Sequence, residues 1–244
     1  MSEEKGQALK PGNKRAWAIT VGLGFLMGAG LQTILAGAGN FIPLVCADLQ
    51  CDPTQLTLWI TMYAIFMAIS QPFVGRLWPK VNAKILTTVS FLVSIVAFAL
   101  MGTYNEVWQF WVSGAVIGLS GGFYFMVAAP YLITNWFAKK TGLALGVAGI
   151  IGSLLGAILS PVDAAIIAAV GWRTAYFVVA AISCVMALPF TLFVFEFDPA
   201  KLGMRPVGWE EGMETVTAGA ADAPGIPEKK AVASIVFVML FLVG

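Results

Sequence analysis

The stretch that decides the fold is TGLALGVAGIIGSLLGAILSPV, residues 141–162. It lies between Lys140 and Asp163 and carries no charged side chain over 22 residues. As an α-helix it measures about 33 Å, enough to cross a hydrocarbon core of about 30 Å. Along it Gly142, Gly146, Gly149, Ser153, Gly156, Ser160 and Asp163 follow one another at spacings of four and three, so they share one face. Small residues let helix backbones approach closely in lipid, where no hydrophobic force drives helices together. Plain helix packing accounts for most of these positions. The functional reading is a surface that rocks against a partner.

Outward from this stretch the same pattern repeats. Residues 16–47, 53–75, 85–105, 107–138 and 174–195 are also free of Asp, Glu, Lys and Arg, and each has at least 21 residues. Six membrane spans are therefore predicted. The whole composition agrees. Of 244 residues, 59% are hydrophobic and 11% charged, with a mean hydropathy of +0.86. A soluble domain carries roughly 25% charged residues. A net charge of +1 excludes a nucleic-acid binder,. The chain has no histidine, which removes Ser-His and Cys-His nucleophiles and His-ligated metal or haem sites. No cofactor and no metal site is predicted.

The charges between the spans set an orientation. Lys5, Lys10, Lys14 and Arg15 precede span 1; Arg76, Lys80 and Lys84 separate spans 2 and 3; Lys139 and Lys140 separate spans 4 and 5; Lys201, Arg205, Lys229 and Lys230 follow span 6. Thus 13 of the 14 basic residues fall on one side, with Arg173 the exception. By the positive-inside rule the N-terminus is cytoplasmic. Residues 1–15 read as a cytoplasmic tail, 16–196 as a six-helix membrane lobe, and 197–231, with six of the 13 acidic residues, as a cytoplasmic linker. Residues 232–244 read as the truncated start of a seventh helix: the uncharged run from 231 is 14 residues, only about 21 Å. Ala36-Gly37-Ala38 resembles a signal-peptide cleavage site, but the apolar stretch before it is too long for a signal core, so span 1 is read as retained,. A chain that stops after one lobe is not expected to transport alone.

Polar residues inside the spans must find partners or line a wet cavity. Gln32 and Asn40 in span 1, and Tyr124 and Tyr131 in span 4, are the candidate cavity-lining residues; Gln71 and Asn135 are further polar groups. Span 2 carries its own small stripe, Thr57, Thr61, Ala64, Ala68, Gln71 and Gly75. Pro130 in span 4, and likewise Pro72 near the cytoplasmic end of span 2, should bend the helix or free a carbonyl,. No acidic or basic residue lies near the centre of a span, so no proton-coupling carboxylate is expected. Asp163 and Arg173 are placed at the outer ends of spans 5 and 6, where a salt bridge or snorkelling at the interface is the plain reading and a gate the alternative,. Cys46 and Cys51 flank the first outer loop. They read either as two unpaired residues or, in an oxidising exterior, as a disulfide.

Three local patterns carry a family resemblance. Gly75-Arg76-Leu77-Trp78-Pro79-Lys80-Val81-Asn82-Ala83-Lys84 resembles the loop motif of the major facilitator superfamily, although Pro79 stands where its acidic residue belongs. Asn135-Trp136-Phe137-Ala138-Lys139-Lys140-Thr141-Gly142-Leu143-Ala144-Leu145-Gly146 resembles the oxalate/formate antiporter and monocarboxylate transporter branch, as does Gly171-Trp172-Arg173 followed by Leu202-Gly203-Met204-Arg205-Pro206. The resemblance implies the N-terminal half of a twelve-helix carrier, an all-α membrane protein built as 3+3 inverted repeats. Spans 1 and 4 then line the cavity. Spans 2 and 5 meet the second lobe through Gly142, Gly146, Gly149, Ser153 and Gly156. Gly75, Arg76, Lys80 and Lys84 form the cytoplasmic gate.

The expected function is a secondary active transporter working by alternating access on a small organic anion, in a bacterial inner membrane, and not an enzyme. Its partners are then the lipid bilayer, a small organic anion and the missing C-terminal lobe, with no nucleic acid. The alternative is a six-helix scaffold or channel-like module that associates with itself.

Overall fold

The computed structural model describes residues 10–77 and 81–209. Five helical stretches among them are long and apolar enough to cross a membrane: Asn13–Leu49, Pro53–Val74, Ala83–Thr103, Val107–Trp136 and Thr141–Val194. The first comprises α1 (Asn13–Met27), a π turn (Gly28–Gln32) and α2 (Thr33–Leu49). The next two are α3 (Pro53–Leu77) and α4 (Ala83–Leu100). The fourth is α5 (Val107–Gly121), a π turn (Gly122–Val127) and α6 (Ala128–Trp136). The last is α7 (Thr141–Pro189) with a closing π turn (Phe190–Val194).

Where the charge map ends one span at Asp163 and opens another after Arg173, the structure has continuous helix. The break falls instead at Gly171, whose φ of 77° and ψ of 160° are non-helical. Glycine reaches this conformation without the cost a β-carbon would bring. Charge alone does not end a helix; the backbone turn does.

Local sequence explains the other ends. Asn82 caps α4, its side chain accepting from the Lys84 N–H at 3.0 Å. Glu106 and Gln109 form a reciprocal capping box on α5,. Pro53 opens α3, and Asp52 just before it accepts from the Thr54 N–H,. Those bonds hold the Asp52 carboxyl below its ordinary range. Pro130 follows the π turn Gly122–Val127, where the helical ladder is already rearranged around its missing N–H,.

Glycine sets the tightest packing. A β-carbon on Gly114 or Gly118 of α5 would run into the backbone carbonyls of Trp59 and Tyr63 on α3. Alongside, α1 and the first half of α7 run parallel: a β-carbon on Gly24 would lie 2.6 Å from Ile151 Cβ, and one on Gly28 2.7 Å from Leu155 Cβ. Phe41 stacks on Tyr176 at 4.1 Å and Phe98 meets the same ring at 5.0 Å, tying α2, α4 and α7 together.

The two ends of the bundle differ. At one, the short parallel pair β1 (Lys10–Pro11) and β2 (Met204–Arg205) joins the chain's two described extremities. Val207 donates to the Trp136 carbonyl at 2.8 Å and Ala138 donates back to Val207 at 2.9 Å. The Asn135 and Trp136 side chains donate to the carbonyls of Phe197 and Glu196 at 2.8 and 2.6 Å. Two of the quoted motif segments, 135–146 and 202–206, are therefore neighbours in space.

At the other end Arg173 is the organiser, and of the two readings a salt bridge is seen, with Asp48 rather than Asp163 as its partner. It bonds Asp48 Oδ2 at 3.0 Å, Asn105 Oδ1 at 3.1 Å and the Tyr104 carbonyl at 3.0 Å, and its guanidinium lies 4.3 Å from the Trp172 ring centroid. The geometry decides the pairing, because Arg173 lies beyond the Gly171 break while Asp163 is turned into the bundle. The ion pair is about half exposed, so the charge attraction alone is worth at most about 1 kcal/mol. Arg173→Ala also removes the bonds to Tyr104 and Asn105, and is expected to cost about 1–2 kcal/mol. Asp48→Asn is expected to cost less. Thermal unfolding of the two variants in detergent checks the order.

Candidate functional site

The inner face of the stretch Asn13–Leu49 carries a row of small and polar contacts against α4, α5–α6 and α7. Its middle is the π turn Gly28–Gln32, and opposite it lies the π turn Gly122–Val127. Such turns interrupt the regular backbone ladder and occur often at functional sites. The two touch: a β-carbon on Gly30 would lie 2.9 Å from Tyr124 Cε2. Thr33 Oγ1 donates to the Gly28 carbonyl at 2.6 Å, taking up an acceptor at the irregular turn,.

Tyr124 is fully buried. Its hydroxyl is 3.3 Å from Ser94 Oγ, and its ring meets Phe91 edge-on at 5.7 Å. In this conformation it is enclosed by protein at the level of the two π turns. Gln32 sits in the first π turn, and its side chain lies outside the described residues.

Toward the Arg173 end, α2 and α7 face each other through Gly37, Asn40, Ser160 and Asp163. Asn40 Nδ2 donates to the Ser160 carbonyl at 2.9 Å. Asp163 is 2% exposed, its Oδ2 has no hydrogen-bond partner, and a β-carbon on Gly37 would lie 3.0 Å from that oxygen. The side chain expected at the outer end of a span is thus buried between helices rather than exposed there. Counting uncharged residues makes Asp163 the end of a span, but α7 runs eight residues further to Gly171, about 12 Å along its axis,. Among the residues whose side chains are described, Asp163 is the one buried charged side chain, and none of their Lys or Arg is buried. An unpaired carboxylate in apolar surroundings is costly and gains from a positive ligand.

Tyr131 lies at the far end, its ring 6.0 Å from Phe197. The four cavity candidates thus occupy three levels: Asn40 beside Asp163, Gln32 and Tyr124 at the π turns, Tyr131 near the 135–136 clamp. Sequence reasoning gives Gly30 and Gly37, two of the glycines of span 1, no site role and does not single out Ser94.

On α7, Gly142, Gly146 and Ser153 are exposed, and no side-chain or backbone atom lies within 4 Å of a β-carbon built on Gly142, Gly146 or Gly149. Gly156 departs from that face and is buried. α7 meets α1 and the π turn after it through Ala148, Ile151, Gly152 and Leu155. On α3, Thr57, Thr61, Ala64 and Ala68 are likewise exposed, while Trp59, Tyr63, Met67 and Ser70 are buried. Of the gate motif, Lys84 follows the Asn82 cap; Lys80 and the side chain of Arg76 lie outside the described residues, and Gly75 is within α3. Most of the expected linker 197–231 and all of the expected seventh helix also lie outside them.

Among known proteins, the profile of the Major Facilitator Superfamily matches residues 23–244. The chain is 31% identical over 184 residues to the multidrug resistance protein MdtG of Proteus mirabilis (strain HI4320), covering 72% of this chain and 44% of that protein. It is 33% identical over 177 residues to MdtG of Klebsiella pneumoniae (strain 342), covering 70% and 41%. The same name belongs to a protein of Enterobacter lignolyticus (strain SCF1), 31% identical over 183 residues, covering 72% and 42%. The chain spans less than half the length of these curated relatives.

Proposed function

We infer the function from one premise: the chain belongs to the Major Facilitator Superfamily. On that premise it supplies one lobe of a secondary transporter that works by alternating access, and not an enzyme. The break at Gly171 supports dividing Thr141–Val194 into two crossings, which gives six spans in two groups of three. The uncovered small-residue faces of α3 and α7 support docking against a second lobe, with residues 197–231 as the link and 232–244 as its first helix. The clustering of 13 of 14 basic residues supports a cytoplasmic N-terminus,. The bacterial relatives support an inner membrane. Gly75, Arg76, Lys80 and Lys84 keep the role of a cytoplasmic gate.

The observation that carries the substrate class is Asp163. A lobe whose one described buried charge is an unpaired carboxylate suits a solute that is apolar and neutral or cationic,. The MdtG relatives are named multidrug resistance proteins, and transport of such a solute is compatible with that name. The organic-anion reading rests on the resemblance of residues 135–146, and it requires a cationic anchor supplied by the second lobe. Cells expressing this chain joined to a second lobe, as one two-lobe carrier, test both readings. Reduced accumulation of a lipophilic cationic dye, against cells with an empty vector, is the expected result. Unchanged dye with altered uptake of labelled mono- or dicarboxylates would replace it with the anion reading. No change in either would leave the self-associating scaffold.

A further inference from the structure

Cys46 lies in the last turns of α2, and Cys51 follows in the short connection to α3. Their sulfurs are 3.5 Å apart. Two further features hold them there. The Cys51 N–H donates to the Cys46 carbonyl at 3.2 Å, folding the connection back on the helix end. Gln50 between them takes a left-handed φ of 51°, and its side chain donates to the Ala47 carbonyl at 2.7 Å. Two thiols sharing one turn, with the backbone already closed around them, need only a small sulfur shift to reach bonding distance, which is about 2.05 Å.

We propose that Cys46 and Cys51 form a disulfide in the mature protein, made by exchange with an external disulfide. The proposal rests on the orientation proposed above, which puts this turn on the outer, oxidising side. Burial assigns the order of events. Cys51 is half-buried and Cys46 is 8% exposed, so the Cys51 thiolate attacks first. It displaces one thiol from the external disulfide and forms a mixed disulfide. The Cys46 thiolate then attacks the Cys51 sulfur and displaces the second thiol. Two protons pass from the cysteines to the two departing thiolates, and one disulfide is exchanged for another. The loop enclosed is short, so its entropic contribution to stability is small. Its consequence is local: Asp48, the partner of Arg173, lies inside that loop, and a closed loop holds its carboxylate in place for the guanidinium.

The test uses the full chain in its native membrane, with Cys184→Ser removing the third thiol. Cells are quenched in acid, free thiols are blocked with a small maleimide, and a heavy maleimide is added with or without prior reduction. The expected result is addition of two heavy labels only after reduction. Blocking of both cysteines without reduction overturns the proposal. A second arm reads the orientation alone: in a Cys46→Ser variant, a membrane-impermeant maleimide is applied to intact cells. Labelling of Cys51 from outside, together with two free thiols in the first arm, sinks the disulfide but leaves the orientation standing. Labelling only after the membrane is opened sinks the orientation and the disulfide with it.

Discussion

A Gly118→Val chain is expected not to assemble its bundle. The β-carbon of any residue there meets the backbone carbonyl of Tyr63, and one turn earlier Gly114 stands in the same relation to Trp59. A side chain could swing away; a backbone carbonyl fixed in its own helix cannot. Relief requires α5 and α3 to separate along their length, which forfeits the close backbone contact that holds helices together in lipid. Because the clash is with fixed backbone, the loss is expected at the upper end of overpacking costs, about 3 kcal/mol, a large share of a domain's stability of roughly 5–15 kcal/mol. Gly146→Ala is the contrast, because a β-carbon there has open space around it. It is expected to leave the melting temperature within a few degrees of the parent and, on the proposed function, to weaken docking of a second lobe. Membrane yield, gel-filtration profile and thermal melting in detergent separate the two. A Gly118→Val chain that melts with the parent would refute the packing argument.

The second large effect concerns activity rather than folding. Asp163→Asn keeps the shape of the side chain and removes its charge. Because Asp163 has no partner for Oδ2, the substitution leaves no opposite charge stranded, and stability is expected to stay level or rise. Transport of a cationic solute is expected to fall by at least about tenfold, the equivalent of one charge-assisted hydrogen bond of about 1.5–3 kcal/mol. Efflux of a cationic dye, measured at equal membrane abundance, reads the effect. Unaltered efflux by Asp163→Asn would remove Asp163 from the transport site and withdraw the support it gives to a cationic substrate. Loss of the folded protein would instead make the carboxylate a packing element.

The membrane character and the number of charge-free stretches were legible in the sequence because charge is so costly in hydrocarbon that its absence marks each crossing. The capping residues Asn82 and Glu106 sit where those stretches begin, and the split of basic residues is visible by inspection. Helical spacing also showed which small residues share a face. It did not show what covers that face. Thr57 and Thr61 follow the same spacing rule as Trp59 and Tyr63, yet the first pair is exposed and the second buried. Lipid and neighbouring helices are equally apolar, so periodicity does not tell one from the other.

The site followed the same division. Asn40 and Tyr124 were singled out because a polar group in a span needs a partner, and the structure supplies Ser160 and Ser94. Those partners are 120 and 30 residues away in the chain, and no local pattern links them. Asp163 was misplaced because a linear charge count locates the edge of an uncharged stretch rather than the end of a helix. Its burial comes from the packing of α7 on α2, which sets the carboxylate against Gly37.

What the sequence determined by itself is the solvent: residues 16–195 are organised for lipid because backbone and charge must be satisfied within each span. What only the tertiary structure decided is pairing. Arg173 bonds Asp48 and not Asp163, α5 touches α3 backbone to backbone, and Asp163 is left without a partner against Gly37. These outcomes depend on where helices stand relative to one another. That arrangement is set by packing summed over the whole bundle, which no single stretch encodes.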